Sequence, residues 1–466
     1  MCGFVNTKKN LEKDKMWCYN GNNDHKKEKI MKIIVVGAGI GGTYFASLMS
    51  KQGHDVTIIE KEKCVEDLRY DQCDDVDIKV FQEHGIPVPE GSYPKRNWTF
   101  AAGENTTMNL IQRYENIDYT IDRKRLNNIL FSLIGDTKVM FGCEVTKAIT
   151  NEKNRVIGVV VSTPNGQKNM LADLIIDASG VNSSVRTSLE KTCGFPKIDK
   201  ESMFYAFRGF FEFSEFDAKP TRTNMVYMKQ LGQKGISWCV YDEKERVADI
   251  LVGRVGGLSK EQLNACIEDL RRRNPYVGKN IVRAGHVAII PVRRPLSKLV
   301  HDGYVLLGDS ACMTIPMIGS GIATSIISAK ILFDLLNKNA STDISNLWNY
   351  QVEVMRKFGA EHAGVEIVKN WMLEKTVDQV EWAFYSGILE NSDMQDISVG
   401  RLPNITLKGY LKKAWAGMDR PKLLFGMAGI LGKAKQIKKF ALAIPTVYDE
   451  VKAKKWGEKY DKFYLY

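Results

Sequence analysis

The sequence predicts an α/β protein: a doubly wound, mainly parallel sheet assembled from discontinuous segments, a mixed β-sheet inserted into it, and a helical C-terminal region. Three observations carry this prediction. Four consecutive β-branched residues, Ile33-Ile34-Val35-Val36, lead straight into Gly37-Ala38-Gly39-Ile40-Gly41-Gly42, the order expected of strand, tight turn and helix start. About 270 residues later, Gly303-Tyr304-Val305-Leu306-Leu307-Gly308-Asp309 is followed by Gly319-Ser320-Gly321. Residues 98–119 and 201–291 alternate apolar and polar side chains as strands of a mixed sheet do, and past residue 346 the apolar spacing becomes helical.

In the first segment Gly37 allows the sharp turn, Gly39 lets the backbone approach a pyrophosphate and Gly42 permits close helix-to-strand packing, with the diphosphate at the positive end of the helix. The strand Val56-Thr57-Ile58-Ile59 then delivers Glu60, 23 residues after Gly37. A carboxylate there accepts hydrogen bonds from adenosine ribose hydroxyls and repels a 2′-phosphate. A surface turn can use three glycines too; the strand pattern on either side, with Glu60 at its end, favours the dinucleotide site.

The second segment supplies what a nicotinamide dehydrogenase would not need. Its strand ends at Gly308-Asp309, where the carboxylate can hold a sugar or ribityl hydroxyl, and the run from Ile318 to Lys330 looks like a small-residue helix start. Gly319, Gly321 and Ile322 could bring backbone N–H groups to the electron-poor pyrimidine edge of an isoalloxazine. The alternative is a buried helix that uses glycine for clearance. Taken together, the two segments point to FAD.

The strands Lys32–Val36, Asp55–Ile59 and Ala172–Asp177 therefore belong to a discontinuous Rossmann-like FAD-binding domain, expected over 31–97, 120–200 and 285–340. The inserted mixed β-sheet, expected over 98–119 and 201–284, is the substrate domain. There Phe204, Tyr205, Phe207, Phe210, Phe211, Phe213, Trp238 and Tyr241 line the substrate sheet or fill the core behind it. Residues 341–466 are expected to be helical and to end in a basic amphipathic tail. Residues 1–30 lack the apolar core of a secretory signal, are rich in Lys, Asn and Asp, and are expected to be a disordered extension before Met31.

At 466 residues and 44% hydrophobic content the chain can build two or three packed domains. The longest apolar stretch, Thr314 to Leu336, contains Lys330 and Asp334 and does not read as a membrane span. Nine cysteines without a CxxC pair fit a reducing cytoplasm better than a disulfide framework or a zinc site, and no metal is expected. The formal charge of +11 is concentrated at the end: residues 401–466 hold 15 Lys or Arg against 5 Asp or Glu. Interleaved with Leu423, Leu424, Phe425, Met427 and Ile430, these cations describe either a helix lying on an anionic membrane surface or a helical lid with a solvated basic face. Nucleic acid is not an expected partner, because no zinc-finger spacing or RNA-binding sheet motif is present.

The glycine fingerprint, the Asp309 segment and Leu174-Ile175-Ile176-Asp177-Ala178-Ser179-Gly180-Val181-Asn182-Ser183-Ser184-Val185-Arg186 together resemble the flavoprotein superfamily of aromatic hydroxylases, flavin halogenases and geranylgeranyl reductases. Within it, Ile290-Pro291-Val292-Arg293-Arg294-Pro295, leading into His301-Asp302-Gly303 and Gly308-Asp309-Ser310-Ala311-Cys312, is most similar to the geranylgeranyl reductase family. The resemblance runs from Met31 to the C-terminus. It implies that Glu60 binds the adenosine ribose, that Arg123 lies along the diphosphate, that Val145 meets the adenine through its backbone, and that Asp309, Gly321 and Ile322 complete the flavin end. Two departures stand out. Ser179 occupies the place of the Asp that hydroxylases carry before Gly180, which argues against hydroxylation. Trp238 lacks its usual following proline, and Tyr70-Asp71-Gln72-Cys73-Asp74-Asp75 replaces the family's cysteine-glycine loop.

The implied activity is reduction of C=C bonds in a geranylgeranyl-type isoprenoid or prenyl lipid by hydride transfer from reduced flavin, in a dry, apolar tunnel. No catalytic residue is assigned; Cys73, Tyr205 and Tyr241 are the candidate proton donors. The electron donor is either a reduced ferredoxin or NAD(P)H. The chain is expected to be cytoplasmic, with a peripheral membrane location if the tail docks on lipid. The alternatives are an FAD-dependent monooxygenase or halogenase, a quinone-linked dehydrogenase, and a non-catalytic prenyl-binding protein.

Overall fold

The carboxyl ends of five parallel strands line up along one edge of a six-stranded sheet. Its order is Val300–His301, Tyr304–Leu306, Leu174–Asp177, Lys32–Val36, Asp55–Ile59, Lys138–Met140. Val36 is in register with Asp177 on one side and with Ile59 on the other, and Asp177 with Leu306. Only the short Val300–His301 strand is antiparallel to its neighbour. In doubly wound sheets the crevice beyond the carboxyl ends takes the ligand, and here that edge continues into Gly37, Glu60, Ala178 and Gly308. The computed structural model describes residues 30–68, 71–95, 97–104, 106–110, 118–215 and 219–463. The expectation for the N-terminal extension thus falls, up to residue 29, outside the described residues.

The central strands are buried on both faces, as their unbroken apolar runs require: Ile33, Ile34, Val35, Ile175 and Ile176 are all fully enclosed. Helix Ile40–Lys51 packs against helix Ile322–Lys338, and Gly41 permits this. A Cβ built there would lie 3.2 Å from both Cβ and the carbonyl oxygen of Ser325. An antiparallel meander, Glu144–Thr150, Val156–Thr163 and Gly166–Leu171, lies beside this sheet.

A second sheet of seven strands has the order Val277–Pro291, Met203–Phe213, Val247–Val255, Gly235–Asp242, Asn224–Met228, Trp98–Ala102, Thr106–Leu110. It is antiparallel except where Asn224–Met228 meets Trp98–Ala102. The strand Val277–Pro291 is continuous through position 285. One face packs on helix Lys260–Arg273, whose start is fixed by a Ser259–Gln262 capping box, and Phe207, Phe211, Cys239, Ile250 and Leu270 fill that core. Phe213 and Tyr241, stacked at 4.6 Å, pack against the same core. Strand alternation puts Phe204, Arg208 and Phe210 on the other face. The aromatic residues of this sheet thus divide between two faces.

The C-terminal region is helical, as expected. It includes Ile344–Val354, Ala360–Leu373, Val377–Tyr385, Asn391–Ser398, Leu407–Ala416, Pro421–Leu442 and Glu450–Asp461. The long helix Pro421–Leu442, with proline in its first turn, lies against Ala360–Leu373. Gly364 allows the contact, since a Cβ there would sit 3.1 Å from the Ala434 carbonyl oxygen. Among the described residues no helix is long and apolar enough to cross a membrane.

Candidate functional site

The glycine turn after the first strand can be built from nothing larger. Gly37 has φ +93°, and a Cβ on it would lie 2.6 Å from the Ala178 carbonyl oxygen; one on Gly42 would lie 2.8 Å from the Gly37 carbonyl oxygen. Gly39 caps helix Ile40–Lys51 with no side-chain hydrogen bond to its first amides. Gly321 does the same for helix Ile322–Lys338. Both uncapped N-termini open on one cavity with about 700 Å³ of empty space, also lined by Arg123, Ala178, Gly180, Ile290 and Asp309. Two positive helix ends facing one cleft suit an anionic diphosphate and an electron-accepting ring.

Of the residues singled out in the sequence, Gly39, Gly42, Arg123, Asp309, Gly321 and Ile322 meet on this cavity. Gly37 supports it from behind. The second helix begins at Ile322 rather than at Ile318, because Gly319 at φ +70° turns the chain before it. Glu60 and Val145 lie at a different end of the sheet edge. The buried Glu60 carboxylate accepts from Ala38 N at 2.7 Å and from Glu62 N at 2.9 Å, and the Glu60 carbonyl accepts from Cys143 N at 2.9 Å, which brings Val145 alongside. The Val145 carbonyl accepts from Ser184 Oγ at 2.5 Å.

Asp309 sits where the strand Tyr304–Leu306 runs out. Burial raises its carboxyl pKa to about 6, with the Arg123 guanidinium pulling the other way. Arg123 in turn pairs with Asp74 at 3.1 Å, and its amide donates to the Gln72 carbonyl at 3.0 Å. The loop at 72–74 is thereby tied to the helix that carries Arg123.

Sequence reasoning undervalued three features. First, Asp177 is a hub. Its buried carboxylate accepts from Ser179 Oγ at 2.6 Å, from Tyr304 Oη at 2.5 Å and from Ser183 Oγ, shaping the turn that presents Ala178 and Gly180 to the cavity. Second, buried Arg186 donates to the carbonyls of Val181 and Ser310, both at 2.7 Å. It joins the middle motif to the Asp309 loop; an arginine two residues after paired serines was the visible signal. Third, a buried charge cluster lies behind the cavity wall. Arg294 pairs with Glu366 at 3.3 Å, and Lys369 Nζ donates to the Val292 carbonyl. Burial lowers the Lys369 pKa to about 8 against the pull of Glu366.

None of the candidate proton donors lines the cavity. Cys73 is held up at about 12 by burial, opposed by Arg208. Tyr205 pairs with Ile289, so it points to the opposite face from Phe204 and its partner Ile290, the residue that reaches the cavity. Tyr241 packs edge-on to Tyr276 at 5.1 Å. Near Cys73 the other face carries a bidentate ion pair, Arg208 Nε to Asp249 Oδ1 at 2.9 Å and Nη2 to Oδ2 at 2.6 Å, with Trp238 against the guanidinium at 5.2 Å.

A second cavity, open on one side, lies among the C-terminal helices, with about 780 Å³ of empty space and a mainly apolar lining that includes Trp371, Val380, Ala383, Ile397, Met427 and Leu431, with Lys413 and Asp393 at its border. Among the described residues no cluster of His, Cys, Asp or Glu could hold a metal ion.

A fingerprint turn, an acid at the end of the second strand, and a second helix N-terminus across the cleft define a flavin-dinucleotide protein. The chain belongs to the FAD binding domain family, whose model matches residues 31–346; it is an FAD-dependent oxidoreductase by family, and FAD is its cofactor. It is similar to the digeranylgeranylglycerophospholipid reductase of Sulfolobus acidocaldarius, at 20% identity over 430 residues covering 90% of this chain and 94% of that one. Among solved structures, a geranylgeranyl bacteriochlorophyll reductase-like protein from Thermoplasma acidophilum matches with a TM-score of 0.68 at 16% identity, covering 86% of this chain and 99% of that one. The myxobacterial chondrochloren halogenase matches with a TM-score of 0.54 at 17% identity, over 89% and 97% of the two chains. These two likenesses are of fold.

Proposed function

We propose that this protein reduces C=C double bonds of a geranylgeranyl-type isoprenoid or prenyl lipid. The observation that carries the reading is the apolar cavity among the C-terminal helices and its link to the loop that lines the cofactor cleft. Ile397 lines that cavity, and a Cβ on nearby Gly400 would lie 2.7 Å from His362 Nε2 and 3.2 Å from Ile315 Cγ1. Ile315 belongs to the loop that carries Gly319 and Gly321, bound to it by Gly319 N to the Ile315 carbonyl and Ile315 N to the Ser320 carbonyl, both at 2.8 Å. The Gly400–Ile315 contact thus links the region of this cavity to the loop that lines the cofactor cleft, and we place the distal part of a long apolar chain between the helices. The relatives named for reduction of digeranylgeranyl lipids support the same substrate class.

In this reading Gly37, Gly39 and Gly42 admit the diphosphate, Arg123 neutralises it, and Glu60 and the Val145 backbone hold the adenosine. Asp309, Gly321 and Ile322 hold the flavin end. Bound FAD, once reduced, supplies hydride. The chain's part is to orient the alkene, exclude water through the apolar lining and keep the two helix N-termini aimed at the cleft. Electrons arrive from a reduced ferredoxin or NAD(P)H.

Anaerobic stopped-flow absorbance tests this. Dithionite-reduced holoenzyme mixed with a geranylgeranyl lipid should reoxidise without oxygen, with a gain of two hydrogens per turnover by mass spectrometry. Reoxidation only after oxygen is admitted would replace the reading with a monooxygenase or, with halide incorporated, a halogenase; the fold likeness to the chondrochloren halogenase makes that the second reading.

A further inference from the structure

The basic C-terminal tail does not present its charge as the sequence suggests. Lys413 is buried and paired with Asp393 at 2.5 Å; Arg420 reaches Asp378 at 2.6 Å, Lys412 meets Glu390, and Lys438 meets Glu361. These pairs also occupy the nearby acids on their own side. Asp419 is exposed but accepts from Trp382 Nε1 at 2.9 Å. Lys408, Lys422, Lys435 and Lys439 stay exposed and outnumber Asp419, so what faces solvent there is cationic on balance.

The same stretch exposes apolar side chains of unusual size. Among the described residues, six of eighteen exposed large apolar side chains fall between positions 407 and 425: Leu407, Tyr410, Leu411, Trp415, Met418 and Phe425. Leu407 is 78% exposed, Trp415 75% and Phe425 74%. Leu407, Leu411 and Trp415 follow each other at four-residue spacing on helix Leu407–Ala416 and so form one stripe. Lys435 Nζ donates to Tyr410 Oη at 2.9 Å, joining that helix to Pro421–Leu442. Concentrated patches of this kind mark an interaction site rather than scattered surface residues.

We propose that helix Leu407–Ala416, the turn at Met418 and the exposed side of helix Pro421–Leu442, from Lys422 and Phe425 to Lys439, form a docking face for an anionic lipid bilayer. Trp415, Phe425 and the leucine stripe enter the headgroup region while Lys408, Lys422, Lys435 and Lys439 meet lipid phosphates. Charge complementarity selects an anionic membrane, and an apolar stripe rimmed by lysines is the arrangement by which an amphipathic helix lies in the interface. The proposal stands whatever the enzyme's substrate.

The test is flotation of full-length holoprotein with vesicles of phosphatidylcholine alone or with roughly a third phosphatidylglycerol. Expected are binding to the anionic vesicles only, loss of most of it at high salt, at least about a tenfold drop for the double variant Trp415→Ala/Phe425→Ala, and about a fivefold drop for each of Lys422→Gln and Lys439→Gln. Flavin absorbance, unchanged in every variant, verifies folding. Absence of flotation with anionic vesicles at low salt would overturn the proposal. So would binding indifferent to both sets of substitutions, or a concentration-dependent dimer that Trp415→Ala/Phe425→Ala dissolves in a protein that ignores vesicles.

Discussion

Glu60 Oε2 accepts a hydrogen bond from the backbone N–H of Ala38 at 2.7 Å. One carboxylate therefore pins the glycine turn to the end of the neighbouring strand and, through Glu62 N at 2.9 Å, the chain that follows; in the proposed reading it also holds the adenosine. Glu60→Ala should leave the Ala38 and Glu62 amides without their acceptor and cost about 1–3 kcal/mol, besides lowering FAD retention. Glu60→Gln, which keeps an acceptor for Ala38, should recover most of the stability but less of the binding. The ratio of flavin to protein absorbance after dialysis, read beside the melting temperature, separates the two effects.

Gly37→Ala combines a left-handed φ with a Cβ 2.6 Å from a backbone oxygen that cannot move without displacing the Asp177 turn. The expected loss is at least about 2 kcal/mol. Gly41→Ala meets Ser325 at 3.2 Å instead and should cost less, with the paired change Gly41→Ala/Ser325→Gly restoring part of it. Chemical denaturation of the three variants checks the order.

Those residues also show what a sequence can reveal. Gly37, Glu60 and Asp309 are legible because each ends a short apolar run, and the chemistry needed there restricts the residue type. The partnership of Gly41 with Ser325, or of Arg186 with the Ser310 carbonyl, joins segments more than 120 residues apart and leaves no local pattern. The tail misleads for a related reason. Lysine spacing alone cannot tell Lys413, buried against Asp393, from Lys422 in solvent, because the deciding acids lie on other helices. The sheet aromatics likewise read as one group until register assigns Phe204 and Tyr205 to opposite faces.

Asp309 makes the flavin-free protein sensitive to pH. Its carboxyl rises from an ordinary 3.8 to about 6 in the folded state, so between these values the folded chain holds more of a proton than the unfolded one. Stability from this group is full below about pH 4 and is lost as pH rises through 6. Asp309→Asn, which cannot ionise, should remove that slope, and urea midpoints at pH 4, 5, 6 and 7 would reveal it.

His362 acts in the opposite direction. It is buried, its Nδ1 has no hydrogen-bond partner, and burial drops its pKa from 6.5 to about 3. The folded state keeps it neutral while the unfolded chain takes up a proton, so stability is intact above pH 6.5 and is lost as pH falls toward 3, by up to about 5 kcal/mol. His362→Leu should flatten the acid limb of the stability profile. If the limb persists unchanged, other groups control it.

The proposed substrate path makes a prediction about chain length. Ala383 faces the apolar cavity from helix Val377–Tyr385, opposite Met427 and Leu431 of the long C-terminal helix. Replacing its methyl with an indole, Ala383→Trp, fills space that only the distal part of a long isoprenoid would use, since the cleft lined by Gly39 and Gly321 is a separate cavity. FAD binding should be unchanged. KM for a geranylgeranyl substrate should rise at least about tenfold, the effect of a few lost methylene contacts, while a geranyl substrate half that length should be reduced as before. Equal loss for both chains would show that the cavity serves packing alone, and a rise for neither would remove it from the substrate path.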